Sequence, residues 1–101
     1  MLFRSPIRRT VTLTDPFTTD GTTTVIVTDT SNGAVVNDFV TFSGASSVGG
    51  IPADSLNKEH QITEIINSNS YKIVVDTTAT SSTTGGGTVD AAYQVNTGLD
   101  T

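Results

Sequence analysis

Threonine limits what this chain can become. Runs such as "TTDGTTTVIVTDT" (18–30) and "DTTATSSTTGGGTV" (76–89) set Thr and Ser among Val and Ile. A β-branched side chain is stiff at χ1, which suits a strand and is mediocre in a helix. No stretch carries a convincing apolar stripe at the 3.6-residue helical period, whereas alternation at period two recurs along the chain. Six segments read as strands: Arg9 to Thr14, Thr22 to Asp29, a run from Asp38 through Ser43, His60 to Ile66, Ser70 to Asp76 and Thr88 to Val95. In the third, Phe39, Thr41 and Ser43 share one face, and Val40 and Phe42 the other. In the fourth, Ile62 shares a face with Glu64 and Ile66, so that face is mixed.

The punctuation agrees with an all-β chain. "SNG" (31–33) is a turn signal, because Asn and Gly tolerate positive φ. "NSNS" (67–70) links two strands tightly enough for a hairpin. "TGGG" (84–87) reads as a flexible turn or bulge before the last strand, and "PADSLN" (52–57) allows one helical turn at most. The expected fold is a small barrel or sandwich of about six short, mostly antiparallel strands with an extended N-terminal arm. The 101 residues fit one domain with one modest core, divided as an arm (1–9), a β domain (10–96) and a C-terminal tail (97–101). Val40, Phe42, Leu56, Ile62, Tyr71, Ile73, Val89 and Tyr93 are the expected core.

Chemistry is sparse. With no Cys there is no disulfide framework, thiolate zinc site or Cys nucleophile. His60 is the single His, and the neighbouring Glu59 would point to the opposite strand face, so a structural or exposed imidazole is expected rather than a catalytic one. "DTSNG" (29–33) lacks the series of oxygen ligands of a calcium loop, and the glycines at 85–87 have neither a P-loop Lys nor a following helix. No catalytic residue, metal or cofactor is expected, and the chain reads as a non-enzyme.

Charge is lopsided. The net charge is −5, while Arg4, Arg8 and Arg9 supply three of the five basic residues. An acidic body repels a phosphate backbone, so nucleic acid is not an expected partner there. "MLFRSPIRR" is not followed by the apolar stretch of a signal peptide, and no run approaches the roughly 20 apolar residues of a membrane span. Leu2, Phe3, Arg4, Ile7, Arg8 and Arg9 are either a solvated terminus or a short arm laid on an acidic neighbour. A loop of small residues follows Gly44. Leu56, Val48 and Ile51 can anchor it to the core, and Ser46, Ser47, Val48, Ile51 and Asp54 form its candidate recognition surface.

Two resemblances follow from these motifs. The order of "DFVTFS" (38–43), "LN" (56–57), "YKI" (71–73) and "GGGTV" (85–89) resembles the first catalytic cysteine half-domain of ubiquitin-activating enzymes. That implies a small β-barrel and no ubiquitin chemistry. The broader resemblance is to modules in structural proteins of tailed bacteriophages, especially marine ones. It rests on Gly33, Asp38 to Ala45, Gly49 to Ile51, Leu56 with Asn57, His60 to Thr63, Ser70 with Tyr71, and Ala79 to Gly98. Asn37 stands where those modules usually have Gly. The resemblance implies a virion protein, made in the host cytoplasm, in a tail, nozzle or fibre attachment. Its partners would be copies of itself and other virion proteins. The alternative is a surface-binding module for a host glycan or protein receptor.

Overall fold

The computed structural model describes residues 6–96. Leu2, Phe3, Arg4 and the tail at 97–101 lie outside the described residues. The chain forms β1 (Arg9–Thr14), β2 (Phe17–Thr19), β3 (Thr24–Thr28), β4 (Phe39–Ser43), α1 (Ala53–Leu56), β5 (Glu59–Gln61), β6 (Glu64–Asn67), β7 (Ser70–Val74), β8 (Thr84–Gly85) and β9 (Thr88–Gln94). The strands form two antiparallel sheets, one ordered β1-β9-β4-β5 and the other β6-β7-β3-β2-β8. The all-β expectation holds, in the sandwich form.

Alternation decides which residues enter the core. On β3 and β7, Val25 and Val27 lie opposite Ile73 and Tyr71, and all four are buried. On β4 and β9, Val40 and Phe42 lie opposite Tyr93 and Ala91, also buried. All eight expected core residues belong to one cluster, which Phe17, Val25, Val27, Val48, Ile51 and Ala91 extend. Phe42 meets Phe17 edge-on, with ring centroids 5.0 Å apart. The outer faces are rich in Thr: Thr10, Thr12 and Thr14 of β1 are exposed, and Thr12 donates from Oγ1 to Asp90 on β9 at 2.8 Å. Threonine therefore serves as the wet side of a strand, as its side chain allows.

Two local readings change. The segment from His60 to Ile66 is two strands, one in each sheet. The chain turns the corner at Ile62 and Thr63, where Ile62 N–H donates to the Asp38 carbonyl at 2.9 Å and its side chain is fully buried. That corner resolves the mixed face, since Ile62 points into the core while Glu64 and Ile66 stay exposed on β6. "TGGG" contains β8, which pairs with β2 before the chain turns at Gly86 and Gly87. The hairpin at 67–70 forms as expected, with Asn67 opposite Ser70 and the Asn67 side chain accepting from Asn69 N–H at 2.8 Å.

Asn37 has φ 75°, a left-handed conformation. Gly would adopt this conformation without strain. Asn is among the side chains that enter this region at the least cost.

Candidate functional site: the loop end and the arm end

The loop after β4 is a built structure. Val48 and Ile51 exchange backbone hydrogen bonds at 3.1 and 2.8 Å across Gly49 and Gly50, whose φ values are 55° and 89°. Positive φ at both central residues is the requirement of a type I′ two-residue hairpin turn, which Gly meets without strain. Val48 and Ile51 are buried, so both are anchors and neither belongs to a recognition surface. Ser46, Ser47 and Asp54 are exposed as expected. Asn57 closes the loop's base: its Oδ1 accepts from Ala45 N–H at 2.8 Å and its Nδ2 donates to the Ala45 carbonyl at 3.0 Å. That clamp gives the "LN" pair a physical meaning, with Leu56 filling the core and Asn57 fastening the loop.

The turn is held from below. Thr80 and Ser81 N–H groups donate to the Gly49 carbonyl at 2.7 and 3.3 Å. A Cβ at Gly49 would stand 2.3 Å from Thr19 Oγ1 and 3.1 Å from the Ser81 carbonyl. Thr19 is itself buried and donates to that carbonyl at 2.7 Å. Gly49→Ala should therefore destabilise the domain by about 1–2 kcal/mol or more, since it adds a steric clash to an unfavourable φ. Thermal unfolding checks this, with Gly33→Ala as a comparison that carries positive φ in open space.

His60 lies beneath the loop. Its imidazole is buried, tilts toward Phe42 with centroids 5.8 Å apart, and donates from Nε2 to the Leu56 carbonyl at 3.0 Å. Burial holds its pKa below the ordinary value, and the hydrogen bond to Leu56 opposes that only in part. The sign follows from linkage. The unfolded chain takes up a proton near pH ~6.5 while the folded one resists it, so the stability from a neutral His60 is complete above about pH 6.5 and falls as pH drops below it. Urea midpoints should fall between pH 7 and pH 5, and His60→Gln should flatten that part of the curve.

The opposite end holds a polar network that sequence reasoning did not anticipate. Asp29 is buried, and its carboxylate receives both terminal nitrogens of Arg9, from Nη2 at 3.1 Å and from Nη1 more closely. Tyr93 donates its hydroxyl to Asp29 Oδ2 at 2.6 Å. That commits the Tyr93 proton, so Tyr71, 2.9 Å away, donates in turn to Tyr93. Burial pushes both phenols well above the ordinary Tyr range; the Tyr93 hydroxyl adds to the rise at Tyr71 and the Asp29 carboxylate to that at Tyr93, where the bond from Tyr71 opposes it. The Arg9 guanidinium also lies 5.4 Å from the Tyr93 ring centroid, and the Arg8 guanidinium lies 5.8 Å from it. Arg8 reaches Asp38 at 3.9 Å, and Asp38 accepts from Val35 and Asn96 N–H at 3.2 and 3.3 Å. Two of the arm's cations thus face carboxylates of their own domain, while Ile7 is 58% exposed. The one available signal was the placement of the chain's only two tyrosines on inward strand positions, where a buried hydroxyl needs partners.

Among the described residues no ligand-sized cavity opens, and no three metal-binding side chains gather. Among the described residues no helix is long and apolar enough to cross a membrane.

No family model matches the chain, and no curated protein matches it. Several solved structures do. One of them, Phage phi92 endosialidase, shares the arrangement over 88% of this chain with a TM-score of 0.72 and 22% sequence identity. The chain spans 13% of the length of that protein. At this identity the likeness concerns the fold. The resemblance to the ubiquitin-activating half-domain draws nothing from this match and is carried no further.

Proposed function

We propose that this domain is a structural component of a bacteriophage virion, in a tail, nozzle or fibre attachment, and that it works by protein–protein assembly. The observation that carries this reading is the recurrence of its fold as a small part of a much larger phage protein. The phage-module motifs in the sequence point the same way. An endosialidase is an enzyme, but 13% of its chain is a small share, and the residues here favour a module without catalysis. The one imidazole is buried as a donor to a backbone carbonyl, and the buried Asp29 and Asp38 carboxylates are engaged in fixing the arm end. A fold can serve many functions, so the site must decide.

Quantitative peptide mass spectrometry of density-purified particles tests the reading. The chain's peptides should co-purify at a fixed ratio to tail proteins. Recovery only from the soluble lysate would overturn it.

The arm retains a narrower role as an outward contact. Arg8 and Arg9 belong to the domain, so the apolar residues Leu2, Phe3 and Ile7, with Arg4, carry the proposal. Deleting residues 1–7 should weaken association with neighbours and leave the fold intact. Host binding is the second reading. It is favoured by the exposed Ser46, Ser47 and Asp54 on a loop whose base is clamped by Asn57. Binding to host-surface glycans that is lost on triple Ala substitution of these residues would support it.

A further inference from the structure

We infer that the outer edge of β1 pairs with β1 of a second copy of this chain, joining two four-stranded sheets into one of eight. The inference rests on the assembly reading and names the partner. Sheet edges carry unpaired backbone groups, and proteins usually blunt them with short strands, bulges, Pro or charge. Among the described residues, three of the four sheet edges are blunted. β5 has three residues, β8 has two, and β6 has a register shift between Ile65 and Asn67. β1 has six residues in unbroken register with β9, and from Thr10 to Thr14 it contains no Pro and no charge. Among the described residues no strand covers its outer side.

The ladder fixes which groups face outward. Asp15 N–H donates to the Gly87 carbonyl at 2.8 Å, in the same register as β1 and β9. Backbone groups alternate in an antiparallel pair, so the odd residues of β1 face β9. Thr10, Thr12 and Thr14 then present their N–H and C=O groups to the open side.

The sequence "RTVTLTD" (9–15) is self-complementary about Thr12. In an antiparallel pair with its two-fold axis there, Thr12 exchanges both backbone hydrogen bonds with the second copy's Thr12, and Thr10 does so with its Thr14. Val11 faces Leu13 of the second copy. Both are partly buried and packed against the core cluster on the inner face, so the pairing extends the apolar layer across the junction. Arg9 falls opposite Asp15, but its guanidinium is held by Asp29 and the Asp15 carboxylate accepts from Gly87 N–H at 2.9 Å, so the ends of the ladder add no direct ion pair. The cross-strand apolar pair is the contact that stabilises such a junction.

Two sets of variants test this with the full chain. The wild type should sediment at twice the chain mass, and Thr12→Pro should sediment as a monomer with unchanged circular dichroism. Pro at an outward-facing edge position removes a donor that the domain's own ladder does not use. If Thr12→Pro fails to fold, Thr12→Lys, which sets two like charges on the axis, should give the same loss of the dimer. The chain has no native Cys, so single cysteines report the register. Thr12→Cys should form a disulfide-linked dimer, because hydrogen-bonded partners lie about 5.5 Å apart at Cα. Thr10→Cys should not, because its symmetry mate would be roughly 14 Å away at about 3.4 Å per residue. A monomeric wild type overturns the inference, as does a dimer that survives both substitutions at Thr12, or equal cross-linking at positions 10 and 12. None of these outcomes would remove the chain from purified particles, so the pairing can fail while the virion reading stands.

Discussion

Phe42→Ala should lower the unfolding free energy by about 3–5 kcal/mol, the cost typical of removing a buried Phe. Phe42 is 1% exposed, lies edge-on to Phe17 and touches the layer that includes His60. It comes from one sheet and Phe17 from the other, so truncation opens a void where the two sheets meet. Typical domains have only about 5–15 kcal/mol to lose. The variant should therefore show a urea midpoint far below the wild type, or fail to fold at 37 °C. Phe42→Leu should recover much of the loss, because it keeps most of the apolar volume. A midpoint for Phe42→Ala within a few tenths of a molar of the wild type would mean that the sheets do not meet at this ring pair.

Asp29→Ala should cost about 3 kcal/mol. Removing one member of a buried ion pair strands the other, which costs more than the pair contributes in place. Here three groups lose an acceptor at once: two Arg9 nitrogens and the Tyr93 hydroxyl. The effect falls short of the largest known cases because the Arg9 side chain is 27% exposed and recovers some solvation. Asp29→Asn keeps an acceptor for Tyr93 and should cost less. A double-mutant cycle with Tyr93→Phe isolates the shared bond. Coupling near zero would place the network's contribution in the Arg9 pair alone. Because both phenols are held protonated by burial, stability from Tyr71 and Tyr93 is present below pH ~10 and falls as pH rises through the range where the unfolded phenols ionise.

The legible parts of the fold are those that repeat locally. β1, β3, β7 and β9 each alternate in burial over five residues or more, β4 does so from Val40 onward, and period two marks both the strand and its inner face. β2 and β8 have three and two residues, lie beside Pro16 and the glycines at 85–87, and are strands only because each lies next to another. Nothing local could show them. The break between β5 and β6 was hidden for a related reason. The alternation runs on through Ile62 and Thr63, while the corner lies between Ile62 N–H, which donates to the Asp38 carbonyl beside β4, and Thr63 N–H, which donates to the Lys72 carbonyl on β7.

The candidate site was legible in its outline and not in its roles. Val48 and Ile51 carry the apolar character of anchors, but sequence alone left them as both anchors and surface. Their burial in the core cluster on either side of the Gly-Gly turn settles which way they point. Arg8 and Arg9 read as a free basic arm because their partners, Asp38 and Asp29, are many residues away along the chain. Ion pairs over that distance leave no periodic trace. Asn37 is the reverse case. An oddity visible in the sequence acquires its reason only when its φ is known.

The proposed role, a part that holds a particle together, is tested most directly by a reconstruction of that particle. Cryo-electron microscopy of the purified virion should place a two-sheet domain of this topology in the tail, packed on protein neighbours, with β1 against β1 of a second copy. A complete tail whose density has no room for the domain would contradict the account at its centre.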